Sequence, residues 1–180
     1  MRLARDSSAL LIVDLQERLL PHIHDADIVL EHAQWLLGVA RRLGVPVIAS
    51  EQYPSGLGAT APALRALLEP REIVEKVHFS CVAEGCLQPH PAWERQQVVI
   101  CGTEAHVCVL QTALGLLDAG KTVFVVADAV GSRKPADREL AIARMRQCGA
   151  QIVSREMVAF EWLGRAATDE FRDVSRRFLR

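Results

Sequence analysis

The chain has 180 residues, 50% of them hydrophobic and 24% charged, with 21 Lys and Arg set against 22 Asp and Glu for a formal net charge of −1. At roughly 150 residues per domain this suits a single domain over residues 1–180, and the composition excludes a disordered chain. The near-neutral charge, with no dominant Lys/Arg cluster, argues against nucleic acid or an anionic membrane as partner, and no stretch approaches the about 20 apolar residues that cross a bilayer.

Residues 9–14 are a continuous aliphatic run ending in an acid, the pattern of a strand buried on both faces. Residues 27–43 follow with Leu30, Ala33, Leu36, Leu37, Ala40 and Leu43 at the spacing of one buried helix face. Further strand runs are expected at 45–50, 72–77, 97–101, 122–127 and 150–153, and further helices at 106–118, 137–147, 155–165 and 169–177. The helices over 27–43, 106–118 and 137–147 stop at Gly44, Gly120 and Gly149, each followed at once by a strand. Thr168 is the expected N-cap of the last helix. This alternation predicts an α/β fold of three Rossmann-like layers, with a six-stranded, mainly parallel sheet and helices on both faces. Two long irregular stretches, 51–62 and 78–91, are candidates for function. Five cysteines, an odd number in a chain large enough to stabilise itself, point to reduced thiols and a cytoplasmic protein.

In an open parallel sheet, ligands bind beyond the carboxyl ends of the strands. Asp14 ends the first run, Lys76 lies near the end of the third, and Cys108 follows the fourth where a helix begins. Each alone has an ordinary reading, as a cap, a solvated cation and a packed thiol. Together they form a chemical set. A helix start and a nearby cation lower a thiol's pKa, so Cys108 is expected to be an activated thiolate. A carboxylate can take the thiol proton and return it to a leaving amine, while a lysine positions that carboxylate.

These residues lie in Leu-Ile-Val-Asp14-Leu-Gln, Lys76-Val-His-Phe-Ser, Cys101-Gly-Thr-Glu-Ala-His-Val-Cys108-Val and Val-Ala-Asp128-Ala-Val-Gly-Ser-Arg133. In order and spacing they resemble the isochorismatase-like cysteine hydrolase superfamily, nearest its isochorismatase-domain-containing group of unsettled substrate. The resemblance implies an Asp14, Lys76, Cys108 triad. It also implies a cis peptide at Thr103–Glu104 that turns the Glu104 N–H beside the Cys108 N–H as an oxyanion hole, and homo-oligomers of two or more chains. Gln52, Tyr53, Leu57, Phe79 and His106 are the candidate substrate-pocket residues. Nicotinamidases of the superfamily carry an Asp-x-His metal motif where residues 49–58 here read Ala-Ser-Glu-Gln-Tyr-Pro-Ser-Gly-Leu-Gly, so no metal and no cofactor are expected. Cys108 favours an amide or related acyl substrate, because the superfamily's vinyl-ether-cleaving members do without that nucleophile.

The expected function is thus metal-independent hydrolysis of a small molecule through a thioester. The alternative is a non-catalytic oligomeric binding protein retaining the fold, against which the intact triad argues. His78, Cys81, Cys86 and His90 match no common zinc spacing, and His22 and His24 read as surface residues. Gly102-Thr-Glu-Ala lacks the glycine repeats of a dinucleotide site.

Overall fold

In a computed structural model that describes residues 1–179, the first aliphatic run forms β1 (Ser8–Val13), buried along its whole length. After it come α1 (Ala26–Leu43), β2 (Val47–Gln52), the single turns α2 (Pro54–Leu57) and α3 (Pro62–Arg65), and β3 (Ile73–Lys76). The single turn α4 (Cys81–Glu84), β4 (Gln97–Thr103), a π-helical turn (Ala105–Val109), α5 (Leu110–Asp118) and β5 (Thr122–Gly131) follow. The chain continues with α6 (Pro135–Gln147), β6 (Gln151–Val153), α7 (Arg155–Leu163) and α8 (Asp169–Phe178). The strands pair in the order β3-β2-β1-β4-β5-β6, and every pair is parallel, where the sequence implied a mainly parallel sheet.

Alternation along β1 divides the core in two. Leu10 and Ile12 join Leu36, Leu37, Val158 and Trp162 in a layer under α1, α7 and α8. Ala9, Leu11 and Val13 join Val109, Ala113, Leu116 and Met145 in a layer under α5 and α6. Helices therefore cover both faces, as strands without a polar side require. Among the described residues no helix is long and apolar enough to cross a membrane, and all five cysteines are free.

The strand order places the site. β2 and β3 run out to one side of β1 and β4 lies on the other, so the direction of winding reverses between β1 and β4. A crevice opens at the carboxyl ends of such a pair. Asp14 leaves β1 and Glu104 leaves β4 at that point.

Boundaries differ from the sequence expectation for identifiable reasons. β2 starts two residues late, at Val47, because the Val45 N–H is spent on the Ala40 carbonyl at the exit of α1 and Pro46 has no N–H. β5 continues to Gly131 through a bulge: its register with β4 jumps from Ile100↔Val125 to Gly102↔Val130. Asp128 lies in the bulge, and its carboxylate accepts from the Arg155 N–H at 2.9 Å where α7 starts. The expected helix at 106–118 opens instead as the π turn that carries Cys108.

Candidate active site

Asp14 follows β1 in a left-handed conformation, φ 51°, which costs a non-glycine residue about 1–2 kcal/mol. Four contacts hold it there. Its N–H donates to the Ser50 carbonyl at 3.1 Å and its own carbonyl accepts from Thr103 Oγ1 at 2.6 Å. Its carboxylate accepts from Ser50 Oγ at 2.6 Å and from Lys76 Nζ at 2.7 Å. The Asp14 and Lys76 side chains have no exposed surface at all, so the ion pair is fully enclosed.

Lys76 also donates to Gln52 Oε1 at 2.5 Å. Burial works to lower its pKa, but the Asp14 carboxylate, with Cys108 nearby, outweighs it and the pKa is raised. Lys76 is therefore a fixed cation and no proton donor near neutrality. Gln52 is held in turn by its Nε2, which donates to the Val77 carbonyl at 2.7 Å, and by Gln16, which pairs with both its backbone N–H and its carbonyl.

Cys108 sits in the π turn, 4% exposed, with Sγ 4.0 Å from Gln52 Oε1. Such turns are rare and occur frequently at functional sites. Burial, then the Asp14 carboxylate, push its thiol above the ordinary range, and Lys76 offsets this only in part. This direction runs against the activated thiolate expected from the sequence: the cation is spent on Asp14 and Gln52, and the sulfur is buried. Cys81 is the thiol lowered from its ordinary value, by a hydrogen bond from Cys86.

The expected cis peptide is also overturned, since no peptide bond among the described residues is cis and Thr103–Glu104 is trans. The chain turns there through Gly102 at φ 123° and Glu104 at φ 48°. Gly102 is obligatory on a second count: a Cβ would stand 2.0 Å from the Val13 carbonyl oxygen. Thr103 ties β4 to Asp14 through its hydroxyl. Glu104 turns away to an ion pair with Arg133 at 2.6 Å, and His106 Nδ1 lies 3.0 Å from Ser132 Oγ.

Of the expected pocket residues, Gln52 meets the triad. Tyr53 and Phe79 are 55% and 52% exposed, and Leu57 is half-buried. Tyr53 lines a cavity of about 290 Å³ with Ser55, Lys76, Val77 and Glu84, which reaches Lys76 without opening onto Asp14 or Cys108. A cleft of about 500 Å³ lined by Pro46, Arg71, His90 and Arg95 lies at the amino ends of β2 and β3, remote from the triad. His78 pairs with Glu84, and His90 caps the Ala92 N–H. Ser50 and Gln16 were not anticipated from the sequence; a small polar residue within a strand carries no signal until the β1–β2 register sets it beside Asp14.

A model of the isochorismatase domain matches residues 8–157. The chain belongs to the isochorismatase family. It is 39% identical over 176 residues to mouse isochorismatase domain-containing protein 2A, across 97% of this chain and 84% of that protein. A structure described as MAR1 ribonuclease from Caenorhabditis elegans is 37% identical with a TM-score of 0.92, covering 100% of this chain and 93% of that one. YcaC from Pseudomonas aeruginosa, solved with hexane-2,5-diol and covalent acrylamide, is 28% identical with a TM-score of 0.89 over 99% and 92% of the two chains. The YcaC gene product of Escherichia coli, described as an octameric hydrolase of unknown specificity, is 26% identical with a TM-score of 0.91 over 99% and 91%. Among the described residues of this isochorismatase-family chain, Asp14, Lys76 and Cys108 come together from the ends of three different strands.

Proposed function

We propose that the chain is a cysteine hydrolase that cleaves a small amide or related acyl compound through a thioester. The observation that carries the reading is the enclosed Asp14–Lys76 ion pair, sharing Gln52 with the Cys108 thiol. Because the resting thiol is protonated, attack and deprotonation are concerted: as Sγ bonds to the acyl carbon, its proton passes to the Asp14 carboxylate and the carbonyl π electrons move to oxygen. The Cys108 N–H, at the opening of a helix, is the donor offered to that oxyanion. When the intermediate collapses, the C–N bond breaks and Asp14 returns the proton to the leaving amine. Water then attacks the thioester, again losing a proton to Asp14, and the acid departs as the thiol is reformed. Lys76 holds the Asp14 carboxyl group in place throughout.

The covalent acrylamide of Pseudomonas aeruginosa YcaC supports a reactive nucleophile on this fold. A phosphodiester substrate, as the C. elegans neighbour's description suggests for that protein, would need free cations, whereas Lys76 is committed to Asp14 and the net charge is −1. The octameric E. coli neighbour supports self-assembly, for which the half-exposed Met157 and Phe160 of α7 are available. Free thiols suit the cytoplasm. No step calls for a metal.

The test is a panel of small amides, ureas and esters run against the wild type and Cys108→Ala with EDTA present. Turnover confined to the wild type upholds the reading. Turnover that survives Cys108→Ala, or is lost in EDTA and restored by zinc or manganese, overturns it. Binding of panel members without turnover would favour the non-catalytic alternative.

A further inference from the structure

Ser50 and Gln52 stand two residues apart on β2 and so project from the same face of the sheet. Ser50 holds Asp14 and Gln52 holds Lys76, so this strand grips both halves of the ion pair. Gln52 does more than grip. Its Nε2 donates to the Val77 carbonyl at 2.7 Å, which fixes which end of the amide is oxygen. The flipped amide would set an oxygen against that carbonyl and an NH2 against the Lys76 ammonium, repulsive on both sides. The amide oxygen thus faces Lys76 Nζ at 2.5 Å and Cys108 Sγ at 4.0 Å, one lone pair for each. An N–H and an S–H both suit that oxygen. A thiolate does not, because its charge would face a lone pair.

We propose that Gln52 is a positioning residue that holds the Lys76 ammonium away from the sulfur and so adds to burial and Asp14 in keeping the proton on Cys108 at rest, the nucleophile being released only against a bound acyl group. This rests on the hydrolase reading for its purpose and on the geometry alone for its effect on the thiol. The groups facing Cys108 are the Asp14 carboxylate from β1, Lys76 from β3 and the Cys81 thiol from α4. Of these, Lys76 alone favours the thiolate, and Gln52 diverts it. Such a device protects a reactive sulfur from solvent electrophiles while leaving Asp14 free to take its proton when substrate arrives.

The experiment measures the rate of Cys108 carbamidomethylation by iodoacetamide at several pH values, resolved by peptide mass spectrometry. Gln52→Met keeps the length and removes the acceptor, leaving Lys76 able to turn toward the sulfur; Gln52→Glu keeps the shape, adds a negative charge and gives up the donor to the Val77 carbonyl. The expectation is a rate at pH 8 about tenfold higher in Gln52→Met and about tenfold lower in Gln52→Glu, the change in thiolate fraction for one unit of thiol pKa. Equal rates in all three proteins, or a shift of both variants in one direction, would overturn the proposal, since a merely structural role predicts no opposed pair. Cys101, buried in β4, reports folding in the same spectrum, and the isosteric Gln52→Glu carries the test if Gln52→Met exposes it. Incubation with an activated acetyl ester separates this inference from the reading beneath it. No acyl adduct at Cys108 would refute the hydrolase assignment while opposed alkylation rates would still uphold the role of Gln52.

Discussion

Removing one member of the Asp14–Lys76 pair should cost at least as much as removing both. At 2.7 Å and an effective dielectric of about 20, the attraction is about 6 kcal/mol, against a desolvation penalty of several kcal/mol for each enclosed ion. The two nearly cancel, so the pair adds little net stability. Lys76→Met leaves Asp14 enclosed with Ser50 Oγ as its remaining side-chain donor, and Asp14→Ala leaves the ammonium with Gln52. Each single variant should lose about 3–5 kcal/mol, the usual cost of a stranded buried charge. The double variant Asp14→Ala/Lys76→Met should lose no more than either single one, giving a coupling of about 3 kcal/mol or more within the cycle. Urea unfolding of the four proteins, with slopes checked for equality, measures it. Losses that add within about 0.5 kcal/mol would show that the two charges do not sense each other, and would refute the enclosed pair.

Stability should also fall at alkaline pH in a defined way. The folded-state pKa values of Cys108 and Cys101 are raised, so the native state holds those protons more tightly than the unfolded chain. Their contribution is complete below the ordinary thiol pKa of about 8.5 and is lost as pH rises past it, at about 1.4 kcal/mol per pH unit for each thiol. Cys101→Ala should therefore flatten a plot of unfolding free energy between about pH 8.5 and 10, and an unchanged slope would contradict the assigned shift. Ser50→Ala should slow acylation of Cys108 by about tenfold or more, because Asp14 loses a carboxylate donor at 2.6 Å, while the unfolding free energy drops by only about 1–3 kcal/mol; an unchanged acylation rate, followed by mass spectrometry, would make Ser50 a packing residue. Gly102→Ala sets a Cβ against the Val13 carbonyl and should fail to give folded protein at 37 °C by circular dichroism.

The fold was legible because its central strands are buried on both faces and read as aliphatic runs, with helical periodicity between them. Asp14, Lys76 and Cys108 stand out because each lies at or just past the carboxyl end of a run. Ser50 and Gln16 do not, since their meaning comes from the pairing of Val13 with Ser50 and from the loop that folds back over Gln52. Gln52 reads from the sequence as a substrate-pocket residue, and the structure shows its amide oxygen accepting from Lys76 and its nitrogen donating to Val77. For Cys108 the sequence shows a neighbouring cation and a helix start, whereas in the fold burial is the larger influence and raises its thiol pKa. The cis peptide was misplaced because the turn after β4 is made by φ angles at Gly102 and Glu104, and backbone angles at a non-glycine residue leave no mark in composition.

In the proposed reaction Cys108 forms a covalent acyl intermediate, with Asp14 as the base that accepts its proton. Rapid-quench intact-mass measurement on the wild type, Asp14→Asn and Cys108→Ala, each mixed with a small activated ester, tests it most directly. The wild type should gain one acyl group that maps to Cys108 and decays as acid is released, Asp14→Asn should acylate at least about a hundredfold more slowly, within the range that general-base catalysis contributes, and Cys108→Ala should gain none. An adduct that maps to Cys81 or Cys86, or acylation of Asp14→Asn at the wild-type rate, would contradict the account.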